Sequence, residues 1–130
     1  MELEIRYLAW AVVLGLVQLL LADALVTRER GMAWNTGNRE QVLAPPAGAA
    51  GRSERAFRNF LETFPFFAAA VLAVVATGRA DALTAFGAQL YFWARLVYVP
   101  LYVAGVRHVR SMAWMASMAG LAMVLWPLLR

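Results

Sequence analysis

The sequence predicts an all-α protein that is embedded in a membrane as a bundle of four helices. Apolar residues make up 62% of the 130-residue chain and charged residues only 15%, whereas soluble domains average about 45–50% and about 25%. The apolar residues form four runs, each close to the roughly 20 residues that cross the hydrocarbon core of a bilayer. Because these runs are continuous and do not alternate with period two, they predict helices and argue against a β-barrel.

Charge and cysteine usage exclude several classes of function. The formal charge is +4, but the twelve basic residues are all arginine and are spread thinly between apolar runs, so the sequence predicts no nucleic-acid partner. The chain contains no cysteine, which excludes a disulfide framework, a thiolate metal cluster and a cysteine nucleophile. We expect no metal cofactor, and any thiol chemistry must use a thiol supplied from outside.

The first predicted span covers residues 7–26 and includes Gln18 and Asp23. The chain before it is acidic at Glu2 and Glu4, which argues against a cleaved signal peptide, since such peptides begin with basic residues. Residues 27–52 then change to arginine, glutamate, asparagine, glycine and proline, a composition typical of loops. We expect this segment to be the one sizeable loop outside the membrane.

Three further spans are predicted at residues 53–77, 83–106 and 110–129, within a single domain. The turn between the first two of these is very short, so their helices must be antiparallel neighbours. Arginines are concentrated on one side of the predicted membrane, which places the loop 27–52 in the cytoplasm and both termini outside. The arginines on the loop side are Arg28, Arg30, Arg39, Arg52, Arg107 and Arg110, against Arg6, Arg79 and Arg130 on the other.

Polar residues form a stripe on each of the last three helices, because spacings of three or four residues place side chains on one helix face. The stripes are Arg55, Arg58, Asn59 and Glu62; then Arg95, Tyr98 and Tyr102; then Arg107, Arg110, Ser111 and Trp114. One interpretation is that they only fasten the helices together. The other is a positively charged cavity that opens to the cytoplasm and suits a small anion.

Depth in the membrane predicts one specific contact. At a rise of 1.5 Å per residue, Glu62 lies ~14 Å into its span and Arg95 ~16 Å from the end of its span. Since an unpaired charge in the bilayer is costly, we expect a buried ion pair between Glu62 and Arg95. Because Glu62 is the one acidic residue of the three stripes, such a pair leaves the positive charge of the other arginines uncompensated.

Residues 52–65, which read RSERAFRNFLETFP, resemble the second-helix signature of the MAPEG family, the membrane-associated proteins in eicosanoid and glutathione metabolism. Arg95, Tyr98 and Tyr102, followed by Arg110 and Ser111, occur in the order that this family requires. The resemblance implies four-helix protomers that assemble as a homotrimer. It also implies glutathione as the cosubstrate, bound in a cytoplasm-facing cleft between protomers.

The resemblance also implies roles for individual residues. Arg110 holds the thiol as thiolate, or Arg107 does so in its place, and Ser111 is a neighbouring hydroxyl donor. Arg28 or Arg30 reaches a glutathione carboxylate. Trp114 stands where several members of the family have tyrosine. The remaining residues implied to bind glutathione or line its cleft are Arg55, Arg58, Asn59, Glu62, Tyr98 and Tyr102.

The expected function is that of a glutathione-dependent membrane transferase or peroxidase that acts on an apolar electrophile. The alternative is a non-catalytic membrane scaffold, or a protein that binds a small anion and keeps the fold. Expected partners are further copies of the chain, membrane lipid and the electrophile. The basic residues are all arginine, and alanine is frequent. This composition is associated with a bacterial source, for which the location would be the inner membrane.

Overall fold

The computed structural model describes residues 2–41 and 43–130, and all regular secondary structure in them is helical. This confirms the all-α class. The helices, in chain order, are α1 (Leu3–Arg30), α2 (Met32–Thr36), α3 (Gly48–Ala76), α4 (Ala82–Val103) and α5 (His108–Leu129). Four helices are long, and α2 is a single short helix of five residues within the segment for which the sequence predicted a loop.

The long helices differ in length from the predicted spans. Helix α1 begins before residue 7 and ends at Arg30, and α3 begins at Gly48, so the predicted loop 27–52 is reduced to residues 31–47, with α2 inside it. Arginine, glutamate and alanine are good helix formers. Arg28, Glu29 and Arg30 continue α1, and Ala49 and Ala50 continue α3, past their apolar parts. Hydropathy therefore marks the apolar part of each helix and not its ends.

Three of the helices, α1, α3 and α5, are long and apolar enough to cross a membrane. Helix α4 has 22 residues and one charged residue, Arg95, but it is not among these three. The chain therefore has the character of an integral membrane protein.

The core lies between α1, α3, α4 and the second half of α5. At its centre the ring of Phe67 stacks on Tyr91 with 4.0 Å between centroids, and the Tyr91 hydroxyl lies 2.9 Å from Thr63 Oγ1. This hydrogen bond satisfies two polar groups that would be costly to bury alone. Helices α1 and α3 approach closely at Gly15, where a Cβ atom would lie 2.9 Å from the ring of Phe60.

Helices α4 and α5 pack against each other through two glycines. A Cβ atom built on Gly87 would lie 2.6 Å from the carbonyl oxygen of Gly120, and one built on Gly120 would lie 2.6 Å from that of Gly87. These contacts are with backbone, which cannot move aside as a side chain can. Only glycine at both positions permits this close helix crossing.

The ends of α4 are defined by short-range interactions. Asp81 and Thr84 form a capping box at its start, with Thr84 N donating to Asp81 Oδ1 and Asp81 N donating to Thr84 Oγ1. Beyond Val103, Gly105 adopts a φ of 82°, a left-handed conformation that favours glycine, and the chain turns into α5. Arg52 Nε donates to Val103 O at 2.7 Å and so ties the start of α3 to this turn.

Candidate functional site

A cavity of about 470 Å³ lies between α3, α4 and the start of α5. We term it the loop-end cavity, because it is at the end of the bundle that carries residues 31–47 and the α4–α5 turn. Its volume is within the range of small-molecule sites. It is lined by Asn59, Tyr98, Tyr102, Arg110, Ser111, Trp114 and Met115.

The α4–α5 turn brings the polar side chains of this cavity together. Tyr98 and Tyr102 are one helical turn apart at the end of α4, with 5.5 Å between ring centroids. Arg110 lies in the first turn of α5, and its guanidinium carbon is 4.3 Å from the centroid of the Tyr102 ring. This cation–π contact holds the charge at the cavity wall and leaves guanidinium N–H groups for a ligand.

The hydroxyl of Ser111 donates to the carbonyl oxygen of Arg107 at 3.2 Å. Its oxygen keeps acceptor capacity, and rotation about the Cβ–Oγ bond turns the donor toward the cavity. Trp114 and Met115, on the following turn of α5, give the cavity an apolar side. Met115 is four residues after Ser111, so helical spacing is the signal by which the sequence analysis could have found it.

Five residues to which the sequence analysis assigned a role in binding or catalysis therefore line one cavity, namely Asn59, Tyr98, Tyr102, Arg110 and Ser111. Arg107 does not line it. This residue precedes the first turn of α5 and is exposed. Of the two arginines proposed to hold a thiolate, only Arg110 contributes to the wall.

Three other residues of the polar stripe on α3 do not contribute to the cavity wall in the single chain. Arg55, Arg58 and Glu62 are exposed in the single chain and are not among the residues that line the cavity. Asn59, which lies between them in the chain, is the member of the stripe that lines it. Its Oδ1 atom is buried and has no hydrogen-bond partner in the described part of the chain.

The predicted ion pair between Glu62 and Arg95 is wrong for the single chain. Among residues 2–41 and 43–130 the one ion pair is between Arg130 and Asp81, at 3.9 Å. Glu62 is exposed, whereas Arg95 is completely buried. The depth estimate gives position along a helix, but it does not give the rotation of the helix about its axis, which decides whether two side chains at one depth make contact.

Arg95 is instead enclosed by aromatic rings. Its guanidinium carbon is 4.4 Å from the centroid of Tyr98 and 5.8 Å from that of Phe60. None of its three side-chain nitrogens has a hydrogen-bond acceptor within the described residues. Gln18 is similarly buried without partners for its amide, one turn beyond the glycine that contacts Phe60.

The arginines near the end of α1 lie outside the loop-end cavity. Arg30 donates to Ala44 O at 2.7 Å, and its guanidinium carbon is 4.8 Å from the centroid of the Trp34 ring. Arg39 contacts the same ring at 4.4 Å. Arg28 is exposed. The sequence analysis did not identify this cluster, because nothing in the loop composition indicates that α2 presents Trp34 to two arginines.

Comparison with known proteins adds to these observations. The family model described as the MAPEG family matches residues 7–130, which is essentially the whole chain. Searches of the curated proteins and of the solved structures found no match.

The enclosure of Arg95 leads to a prediction about stability. Burying a charge without a counter-charge costs several kcal/mol, whereas a desolvated cation–π contact returns about 2 kcal/mol. We expect Arg95→Met, which keeps an unbranched apolar side chain and removes the charge, to unfold in detergent at a temperature equal to or above that of the wild type. Arg95→Ala leaves a void and should lose about 2–5 kcal/mol.

The two variants are compared by thermal unfolding followed by circular dichroism. If Arg95→Met is as unstable as Arg95→Ala, burial of the guanidinium is not a net cost, and the prediction is wrong.

Proposed function

The chain belongs to the MAPEG family, and from that premise we propose that it is a membrane enzyme that activates the thiol of glutathione for attack on an apolar electrophile. The observation that carries the proposal is the convergence of Arg110, Ser111, Tyr98, Tyr102 and Asn59 on one cavity. A guanidinium, three hydroxyls and an amide suit a flexible anionic tripeptide, which offers carboxylates and peptide groups as partners. The apolar side of the cavity suits the electrophile.

Arg110 is the residue that we assign to thiol activation. A thiol is mostly protonated at neutral pH, and a nearby guanidinium lowers its pKa because it favours the thiolate. Contact with Tyr102 places the guanidinium of Arg110 at the wall, where water is partly excluded and its field is less screened. Ser111 is then a second donor to the sulfur. Arg107 is the weaker candidate because it lies outside the cavity.

The reaction proposed is conjugation, with peroxide reduction as the variant. In conjugation the thiolate forms a C–S bond and the leaving group departs with the electron pair of the bond that breaks. With a hydroperoxide the thiolate attacks the terminal oxygen, the O–O bond breaks and an alcohol is released after protonation. The sulfenic acid so formed is reduced by a second glutathione to the disulfide and water, so that two thiols are oxidised for each peroxide reduced.

Self-association is supported by the exposed face of α3. Glu62 lies fourteen residues after the first residue of α3, ~21 Å along it, and its carboxylate is exposed in the single chain. A charge that faces lipid near the bilayer centre costs about 3 kcal/mol or more, so this face is better covered by protein. Phe66, one turn further, is 69% exposed and extends the same face.

We propose that further copies of the chain cover this face in a homotrimer, with the loop 31–47 in the cytoplasm. Arg55, Arg58 and Glu62 then lie between protomers, where they complete the binding site for glutathione. Arg28 is the better candidate for a carboxylate contact, because the guanidinium of Arg30 already donates to Ala44 O. Multi-angle light scattering of the purified protein tests the assembly: three chains are expected, and a monomer would contradict it.

Glutathione binding is the first functional prediction. Calorimetry on the detergent-purified protein should give a Kd of about 1 mM or lower, or about −4 kcal/mol or better. Arg110→Ala should weaken binding about tenfold or more, because a hydrogen bond to a charged group contributes about 1.5–3 kcal/mol. Arg107→Ala in the same assay shows whether Arg107 or Arg110 contacts glutathione. Arg130→Ala, at the other end of the bundle, is the control for the loss of one positive charge.

If the folded wild-type protein does not bind glutathione, the proposed function is wrong. The alternative functions are then those of a membrane scaffold or of a protein that binds another small anion.

The pH dependence of turnover separates thiol activation from binding. With glutathione saturating, kcat toward an electrophile such as 1-chloro-2,4-dinitrobenzene should rise with pH as the bound thiol ionises. Arg110→Gln removes the charge that lowers the pKa of the thiol, so the rising limb should move to higher pH by about one unit or more. Ser111→Ala should lower kcat and leave the binding of glutathione in place.

An unchanged pH profile in Arg110→Gln would contradict the role assigned to this residue, even if the variant binds glutathione weakly.

A further inference from the structure

A second cleft, of about 400 Å³, lies between the first turns of α1 and the middle of α4. It is separate from the loop-end cavity, with which it shares no lining residue. Four of its seven lining residues are aromatic, namely Tyr7, Trp10, Phe92 and Trp93. The Tyr7 ring meets Phe92 edge-on at 5.6 Å between centroids, and Phe92 meets Trp93 at 5.3 Å. We term it the aromatic cleft.

The aromatic cleft opens onto an apolar surface. Trp10 and Trp93 line it and are 53% and 52% exposed. The exposed residues that follow on the two helices are also apolar, among them Val13, Val17 and Val97. In a membrane protein such a surface is in contact with hydrocarbon, so the cleft is open to lipid chains from the side.

Arg6 is the one charged residue among those that line the aromatic cleft. It lies three residues after the start of α1, ~5 Å along the helix, and is thus close to one end of that helix. The other two arginines at this end of the bundle have protein partners: Arg79 donates to Pro127 O at 2.9 Å, and Arg130 is 3.9 Å from Asp81. Within the described residues, Arg6 has no side-chain hydrogen bond and no ion pair.

We propose that the aromatic cleft binds one chain of an anionic phospholipid, with the lipid phosphate on Arg6. Arg6 is nearer to the start of α1 than Tyr7 and Trp10, so a phosphate on Arg6 places the acyl chain along these aromatic side chains. This order matches the order of groups in the lipid. An anionic lipid is favoured because its phosphate has no cation of its own, whereas the phosphate of a zwitterionic lipid is already compensated by its amine.

The site is independent of the proposed function, since it involves neither glutathione nor the exposed face of α3. A second copy of the chain is a less suitable occupant, because the face of α3 with unpaired charges has the stronger need for protein cover.

Quenching of tryptophan fluorescence tests the proposal. In the full-length protein Trp34, Trp114 and Trp126 are replaced by phenylalanine, which leaves Trp10 and Trp93 as reporters in the cleft. The protein is placed in phosphatidylcholine nanodiscs doped with phosphatidylglycerol or with phosphatidylcholine, each brominated on its acyl chains. We expect half-maximal quenching at a fraction of brominated phosphatidylglycerol about fivefold lower than that of brominated phosphatidylcholine. One arginine near the surface strengthens the binding of an anionic lipid by about that factor.

Arg6→Gln should remove the difference between the two lipids, and Arg6→Lys should keep most of it. Arg130→Gln is the matched control, because it removes an exposed arginine at the same end and should leave the difference intact. Equal quenching by both lipids in the wild type, or a difference that persists in Arg6→Gln, would overturn the proposal. Absence of quenching by either lipid would also overturn it and would show that protein covers the cleft.

Discussion

The close contact between α4 and α5 at Gly87 and Gly120 is the constraint on which the candidate site depends. Backbone meets backbone there, so neither helix can slide or rotate without a clash. The two helices therefore reach the loop end in a defined relation, in which the tyrosines of α4 face Arg110 and Ser111 of α5. The left-handed turn at Gly105 and the hydrogen bond from Arg52 to Val103 then hold this end in place.

Two arginines close to these tyrosines have different environments. Arg95 is wholly buried against Tyr98 and Phe60, so solvent and ligands do not reach it within the single chain. Arg110 stacks on Tyr102 at the wall of the cavity and keeps part of its surface open. The same cation–π interaction thus supports the interior in one case and presents a charge to a ligand in the other. Burial, and not residue type, separates the two.

The two cavities suit different ligands because of the groups that line them. The loop-end cavity combines one guanidinium with hydroxyl and amide groups, and it has an apolar side. The aromatic cleft has one guanidinium and otherwise apolar or aromatic side chains, apart from the Tyr7 hydroxyl. One lies at the end with residues 31–47 and the other near the start of α1, so a small polar molecule and a lipid need not compete.

The sequence by itself determined the helical class and the apolar part of each long helix, and it indicated several of the residues that line the loop-end cavity. It did so because hydropathy and a period of 3.6 residues are properties of local sequence. Asn59, Tyr98, Tyr102, Arg110 and Ser111 were found in this way. The tertiary structure alone decided which faces meet: it separates Glu62 from Arg95, leaves Arg107 outside the cavity and places Trp34 against Arg30 and Arg39. The physical reason is that the rotation of a helix depends on close contacts with distant residues, such as Gly87 with Gly120.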